Sequence, residues 1–234
     1  MRKLSDGLYA FTGLLVGHVY ALEDGDGELT LIDASVGSAA PKVIHQLETA
    51  GRKPSDVKRI LVTHAHPDHI GGLPELQRLT GADVLCLDIE RDFVEGRDAA
   101  PIAPPERQGL MRPFVPKDKR LARGTPVART LHDGEMIEES FGGLQALHTP
   151  GHSPGHTSFW QPQRRILFTG DVLMHLPWGL TLPISAFTTD MDENRRSITH
   201  LGQLGAAIVC FGHGSPLTED AAGKMRSAAA KLGR

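Results

Sequence analysis

The sequence is poor in cysteine, in aromatic residues and in excess charge of either sign. Its 234 residues include two cysteines, Cys86 and Cys210, which are too few for a disulfide framework and which we interpret as small buried apolar residues. This cysteine usage is compatible with a reducing compartment, and we expect the protein to be cytoplasmic. The net charge of −3 lacks the positive excess that favours nucleic-acid binding, so we expect no nucleic-acid partner.

Long apolar runs are also missing. No run approaches the roughly 18 apolar residues that a membrane helix needs. Asp6 and Gly7 interrupt the start of the chain before the apolar core of a signal peptide could form. We therefore expect no membrane partner. The apolar content of 40% and charged content of 23% are typical of a globular protein, and we expect one domain over residues 1–234.

Apolar runs separated by turn signals predict strand-rich segments interrupted by single helices. Strands are expected at 14–22 and 58–62, and a helix is expected at 73–79. The same succession of strand-rich segment, helix, strand and helix occurs twice along the chain. Such a pattern predicts two packed sheets with helices outside them. The segment at about 88–130 interrupts the pattern with six prolines and is interpreted as an irregular insertion, either a cover over a site or a surface excursion. It is also where we expect a contact if the protein forms a homodimer.

Three histidines and an aspartate lie within six residues, directly after an apolar run that predicts a buried strand. Pro67 disfavours helical backbone angles at His66, so these side chains are expected in a loop at the end of the strand. In an extended loop, His64 and His66 leave the backbone on the same side. Asp68 and His69 lie past the proline and can point elsewhere. Two pairs of ligands with two directions indicate two metal ions.

Three more side chains of the same types follow other predicted strands, each in a turn that contains glycine. They are His152, Asp171 and His213. Together with the first group they could converge at one edge of a sandwich. Imidazole and carboxylate ligands suit zinc, and also iron or manganese. No cysteine accompanies them, so the pattern favours a catalytic site with room for water over a closed structural zinc site.

These residues and their contexts resemble the metallo-β-lactamase-fold hydrolases. The resemblance rests on the HxHxDH run, on TPGH ending at His152, on TGD ending at Asp171 and on GHG around His213, and it extends from about Leu8 to His213. It implies an α+β fold, the four-layer αββα sandwich, with a dinuclear site. It also implies one metal bound by His64, His66 and His152, a second bound by Asp68, His69 and His213, and Asp171 bridging the two.

Two divalent cations, most readily zinc, that share a water lower its pKa from about 15.7 to roughly 7 and so make hydroxide available at neutral pH. Asp68 is expected to act in catalysis, because a carboxylate beside the nucleophile can orient it or accept its proton. We predict a metal-dependent hydrolase of a small ester-like substrate. Thioesters and lactones are favoured, because the sequences around His152 and Asp171 resemble those of glyoxalase II and of lactonases. Met174 stands where tyrosine-dependent lactonases carry tyrosine, which disfavours that mechanism.

Two other functions stay open. A phosphodiesterase or nuclease could share the HxHxDH run, although the negative charge and the lack of a nucleic-acid-binding arm count against it. A non-catalytic metal-binding scaffold is the other, and the complete ligand set counts against it. Thr63 and Asp33 are expected to support the ligands without joining them, and His148 and His156 are candidates for hydrogen bonds to the ligands or their loops.

Overall fold

A computed structural model describes residues 1–114 and 124–234 and shows two β-sheets packed face to face. The strands of the first sheet are β1 (Arg2–Ser5), β2 (Leu8–Ala10), β3 (Tyr20–Glu23), β4 (Leu29–Ile32), β5 (Val57–Leu61), β6 (Asp83–Leu87) and β7 (Arg129–Leu131), and they are adjacent in that order. The strands of the second sheet are β8 (Met136–Ile137), β9 (Leu144–His148), β10 (Thr157–Gln161), β11 (Ile166–Phe168) and β14 (Ile208–Cys210), in the order β14-β11-β10-β9-β8. A separate hairpin consists of β12 (Met174–Leu176) and β13 (Gly179–Thr181).

Helices cover the outer face of each sheet. They are α1 (Ala40–Thr49), α2 (Pro67–Ile70), α3 (Leu73–Thr80), α4 (Arg91–Val94), α5 (Met191–Gln203) and α6 (Ala221–Leu232). Successive residues of a strand point to opposite faces, so single strands supply two cores. In β5, Ile60 packs under α1 and α3, whereas Leu61 packs between the sheets. In β11, Phe168 packs between the sheets and Leu167 packs beneath α5 and α6.

Three apolar cores therefore separate four layers, and the predicted αββα sandwich is confirmed. The strands that precede the predicted ligands run so that their carboxyl ends meet at one edge. β4 to β7 are mutually parallel, β11 is parallel to β14, and two antiparallel pairings make β9 run the same way as β11. In the described ranges, no helix is both long and apolar enough to cross a bilayer.

Two local predictions were wrong. The strand expected at 14–22 begins only at Tyr20, because Gly13 and Gly17 adopt positive φ angles and hold the apolar residues between them in an exposed loop, with Leu15 85% exposed. The loop expected to hold all four clustered ligands ends at Pro67. Its fixed φ suits a first helical turn, so Asp68 and His69 lie in α2.

The predicted insertion is partly described. It begins with a 3₁₀ turn and α4, and it ends by adding β7 to the first sheet. Residues 115–123, the middle of that prediction, lie outside the described residues. Whether the segment mediates a homodimer stays a prediction.

Candidate metal centre

The four strand ends bring all seven predicted ligands to one edge of the sandwich. They form three overlapping groups, and the ligand atoms within each group lie within 4.8 Å of one another. The groups are His64, His66 and His152; His64, His69 and Asp171; and Asp68, His69 and His213. Residues from both sheets are therefore needed to complete the cluster.

In the first group, each ring has one nitrogen held by the protein and the other turned inward. His64 Nδ1 lies 3.1 Å from Thr63 Oγ1, His66 Nε2 lies 3.1 Å from the Pro101 carbonyl oxygen, and His152 Nδ1 lies 3.2 Å from Thr188 Oγ1. The inward atoms are His64 Nε2, His66 Nδ1 and His152 Nε2, and the last two are 2.9 Å apart. An outer hydrogen bond of this kind fixes the tautomer that leaves the inner nitrogen free to bind a cation.

In the other groups, carboxylates and imidazoles alternate. Asp171 Oδ2 lies 3.1 Å from His213 Nε2 and 3.6 Å from His152 Nε2, while Asp171 Oδ1 lies 3.4 Å from His69 Nε2. Asp171 therefore lies between His152 of the first group and His69 and His213 of the third group. Asp68 Oδ2 is 3.1 Å from His213 Nε2, and the Asp68 side chain is 32% exposed, so it borders the open side of the cluster.

Three buried atoms of the cluster have no hydrogen-bond partner in the described part of the chain. They are His64 Nε2, His69 Nε2 and Asp171 Oδ1, and the last two face each other at 3.4 Å without forming a hydrogen bond. Buried polar atoms are rarely left unpaired, because the loss of hydration is not repaid. All three belong to one group of neighbouring candidate ligands, and a nitrogen and oxygen donor set of this kind matches divalent-cation coordination. The residues therefore fit the metal ions that the sequence predicts.

The electrostatics of the cluster separate neutral from charged rings. Burial, together with the neighbouring imidazoles, holds the pKa of His64 and of His152 well below the usual histidine value. Burial opposes the charge of His69 too, but the carboxylates of Asp171, Asp33 and Asp68 outweigh it and raise the pKa of His69. Burial likewise opposes ionisation of Asp171, yet His69 and His213 hold its pKa well below the usual range.

Asp33 and Thr63 hold the second group in place, as expected from the sequence. Asp33 Oδ2 accepts hydrogen bonds from Thr63 Oγ1, at 2.8 Å, and from His69 Nδ1, at 2.7 Å. Asp33 Oδ1 accepts from the Thr63 backbone N–H at 2.8 Å. One buried carboxylate thus orients His69 and fixes the end of the strand that leads to His64.

The two histidines that flank the His152 loop form hydrogen bonds to different segments. His156 Nε2 accepts the backbone N–H of Asp171 at 2.9 Å, and burial lowers the pKa of His156 to about 3, which keeps that nitrogen an acceptor. His148 Nε2 donates to the Pro154 carbonyl at 2.8 Å from a more exposed position. His156 therefore bonds directly to a predicted ligand residue, whereas His148 supports only the loop.

Glu90 supports the ligand loops and was not predicted from the sequence. Its side chain is fully buried. Glu90 Oε2 accepts the Ala65 backbone N–H at 2.9 Å, and Oε1 accepts from Ser153 Oγ at 2.6 Å and from the Gly155 N–H at 3.0 Å. The carboxylate thus ties the loop that carries His64 and His66 to the loop that carries His152. No local motif marks Glu90, since all three partners are distant in sequence.

Gly212 leaves space for the cluster. A Cβ atom at this position would lie 2.0 Å from Asp171 Oδ1 and 2.7 Å from His69 Cε1. Both distances are far shorter than any real contact, so only glycine permits this approach of the β14 end to the ligands. This accounts for the glycine that directly precedes His213.

The cluster opens into a cavity of about 510 Å³, and five of the predicted ligands line it: His66, Asp68, His152, Asp171 and His213. An open group of imidazoles and carboxylates on a cavity, at the edge of an αββα sandwich, defines a metal-dependent hydrolase. The chain belongs to the metallo-beta-lactamase superfamily, whose sequence profile matches residues 12–213.

Individual relatives agree with this assignment. The chain is 26% identical over 202 residues to the probable metallo-hydrolase YybB of Bacillus subtilis, an alignment that covers 86% of this chain and 81% of the relative. It is 27% identical over 196 residues to the hydroxyacylglutathione hydrolase GloC of Haemophilus influenzae, covering 83% of this chain and 84% of the relative. It also resembles the crystal structure of a metallo-beta-lactamase family protein from Thermus thermophilus, with a TM-score of 0.71, 27% identity, and coverage of 98% of this chain and 80% of that one.

Proposed function

We propose that the chain binds two divalent metal ions, most readily zinc, and hydrolyses a thioester or lactone. The observation that carries this proposal is a group of seven candidate ligands in which His64 Nε2, His69 Nε2 and Asp171 Oδ1 are buried and make no hydrogen bond within the described residues. One ion would be held by His64, His66 and His152. The other would be held by Asp68, His69 and His213, with Asp171 shared.

The ions, when bound, would supply a water of lowered pKa and polarise the carbonyl under attack. The chain's own residues supply the groups that orient the attacking water. Asp68 borders the cavity, and although burial alone would raise its pKa, His69 and His213 hold the pKa of Asp68 well below the usual range. Its carboxylate is therefore ionised at neutral pH, so it can bind a cation and can orient an attacking water by accepting a hydrogen bond from it.

The bond class is supported by the relatives and by the cavity. Hydroxyacylglutathione hydrolases are named for a thioester substrate, and one of them aligns over most of its length. No lysine or arginine is among the cavity-lining residues in the described ranges. A phosphodiester substrate would gain from such cations, so this wall favours a neutral carbonyl substrate over a nucleic acid.

A hydrolysis panel on the metal-loaded protein tests the proposal. It compares thioesters, lactones, β-lactams and phosphodiesters at matched concentration, with metal content measured on the same sample. We expect about two metal ions per chain and turnover of a thioester or lactone. Turnover of phosphodiesters alone would replace the bond class with the nuclease alternative. Fewer than two metals without any hydrolysis would favour a scaffold.

Alanine variants of the carboxylates test the ligand assignment. We expect Asp171→Ala and Asp68→Ala to lose metal and hydrolysis together, since each removes a carboxylate that faces the histidines. Asp83→Ala is the control, because Asp83 is an exposed aspartate at the start of β6. Mass spectrometry for metal content and turnover of the best substrate are the two measurements. Full activity in either ligand variant would refute the assignment.

A further inference from the structure

We infer that the substrate carries an uncharged apolar chain beside the bond that is cleaved. This inference rests on the proposed function and concerns the part of the cavity that the metal ions would not occupy. The volume of about 510 Å³ lies within the range of roughly 300–1,000 Å³ typical of small-molecule sites. The cavity is therefore large enough for a substrate with a substantial group on one side of the reacting bond.

The wall of the cavity is apolar, apart from the cluster itself. Its side chains include Val16, Val36, Ile102, Met174, Ile184 and Phe187. Among the lining residues in the described ranges, the only charged or titratable side chains are those of the cluster. A carboxylate, phosphate or ammonium on the substrate chain would meet no opposite charge on this wall. Burying such a group there would cost free energy.

The wall is built from segments outside the two packed sheets. Val16 lies in the loop before β3, Ile102 lies between α4 and β7, and Ile184 lies after the β12–β13 hairpin. None of these three residues belongs to the three buried cores. Packing of the sandwich therefore does not explain why these three residues are apolar. Contact with an apolar ligand would explain it.

Two of these wall residues are partly exposed to solvent. Val16 is 46% exposed and Ile184 is 45% exposed, and Leu15, next to Val16, is 85% exposed. Exposed apolar surface gains free energy when an apolar ligand covers it. Val16 and Ile184 thus add partly exposed apolar contacts to the wall. An apolar chain that extends from the cluster could cover both.

The same wall argues against a glutathione thioester as the substrate. Glutathione carries two carboxylates and an ammonium group, each of which needs a charged or strongly polar partner when bound. The described lining offers none outside the cluster. The alkyl chain of a thioester or lactone needs no polar partner, because it can bind to the apolar wall by burial alone.

Matched probes test the inference. Thioesters of one uncharged thiol are prepared with acetyl, butyryl, hexanoyl and adipoyl groups, where adipoyl has the length of hexanoyl and ends in a carboxylate. A second series keeps an acetyl group and lengthens an alkyl thiol, and alkyl-substituted lactones form a third. In at least one series, kcat/KM should rise about fourfold for each added CH₂ until the cavity is filled. Hexanoyl should exceed adipoyl by more than about tenfold.

The outcomes separate the two proposals. The apolar-chain inference would be overturned if kcat/KM did not change with chain length in any series, or if the adipoyl thioester were hydrolysed as well as the hexanoyl thioester. Either result would leave the proposed hydrolase function intact. Failure of the metal-loaded protein to cleave any member would overturn the proposed function itself. Charged thioesters preferred over all alkyl probes would point to a polar substrate and also overturn the inference.

A pair of isoleucine variants localises the effect. Ile184→Asn makes this wall polar without adding charge near the cluster, and we expect the ratio of kcat/KM for the longest effective alkyl probe to that for the acetyl probe to fall roughly 3- to 10-fold. Ile89→Asn is the matched control, because Ile89 is 48% exposed and does not line the cavity. An equal effect on both probes, or an equal effect of both variants, would contradict the assignment of Ile184 to the chain-binding wall.

Discussion

At the scale of single residues, the cluster depends on groups that do not themselves reach a metal position. Asp33 orients His69, and Glu90 joins the two loops that carry His64, His66 and His152. Buried carboxylates that bond to backbone N–H groups hold loops in one geometry, because removing them leaves unpaired donors in the interior. The precision of the ligand arrangement is therefore set partly outside it.

Replacing Glu90 tests this positioning role. Glu90→Gln keeps the size of the side chain but turns an NH₂ group towards one of the three donors that the carboxylate now satisfies. We expect metal affinity to fall about 10-fold or more, with a further loss in Glu90→Ala, as is usual for groups that support ligands. Chelator competition measures the affinity. Glu95→Gln is the control, since Glu95 bonds no ligand loop; unchanged affinity in both Glu90 variants would argue against the role.

Gly212→Ala tests the space beside the ligands. The added methyl would lie 2.0 Å from Asp171 Oδ1, so the carboxylate or the β14 end must move. We expect a loss of turnover of about tenfold or more with the circular dichroism spectrum retained, because a small misplacement of reacting groups has large effects on rate. Gly25→Ala is the matched control, as a Cβ there meets nothing within 4 Å. Equal activity of the two variants would show that the site tolerates the displacement.

At the scale of elements, α5 anchors the loop of His152. The Asp190 N–H donates to the Gly151 carbonyl at 2.8 Å, and Ser197 Oγ donates to the Pro150 carbonyl at 2.8 Å. Gly151 has a φ of +127°, and a Cβ there would lie 2.1 Å from the Asn194 nitrogen. The first turns of the helix and the loop are thus in direct backbone contact.

The N-cap of α5 gives a prediction at this scale. Asp190 Oδ1 accepts the Glu193 N–H at 2.9 Å, and we expect Asp190→Ala to lower the free energy of unfolding by about 1 kcal/mol. Thermal denaturation of the metal-free protein measures this without a contribution from the ions. Asp192→Ala is the control, because Asp192 lies in the same first turn without capping it. Equal stability of the two variants would contradict the capping role.

The elements also show how far the sequence alone could lead. The candidate ligands could be selected from the sequence because each follows a strand in a short motif, and the supporting roles of Asp33 and Thr63 were predictable because both lie at strand ends. Glu90 was not, since its partners lie 25 to 65 residues away along the chain. The strand expected at 14–22 failed because an apolar run predicts burial in a core, whereas Val16 lines the cavity.

At the scale of the whole molecule, the cluster joins the two sheets. His64, His66, Asp68 and His69 follow strand β5 of the first sheet, and the remaining ligands follow strands of the second. Ions bound there would bind only the folded chain, and such binding stabilises by about 2.7 kcal/mol at a ligand concentration of about 100 times Kd.

Metal removal should therefore lower the melting temperature. For a chain of this size we expect EDTA to reduce Tm by roughly 5–10 °C, which is the shift that a loss of this free energy produces. Differential scanning calorimetry with metal analysis of the same sample measures the effect. Asp171→Ala, which should bind little metal, is the control and should show almost no change on EDTA addition. An unchanged Tm in the wild-type protein, after demonstrated loss of metal, would exclude a stabilising role for the ions.

The placement of ligands on both sheets also has a consequence for folding. A chain that has formed only its local contacts presents just the run from His64 to His69, whereas the full cluster extends to His213. Its completion must await the pairing of β11 with β14, a parallel contact between strands that α5 separates in sequence, and contacts of this kind form slowly. During refolding, the capacity to hydrolyse substrate should therefore return after most of the secondary structure has formed.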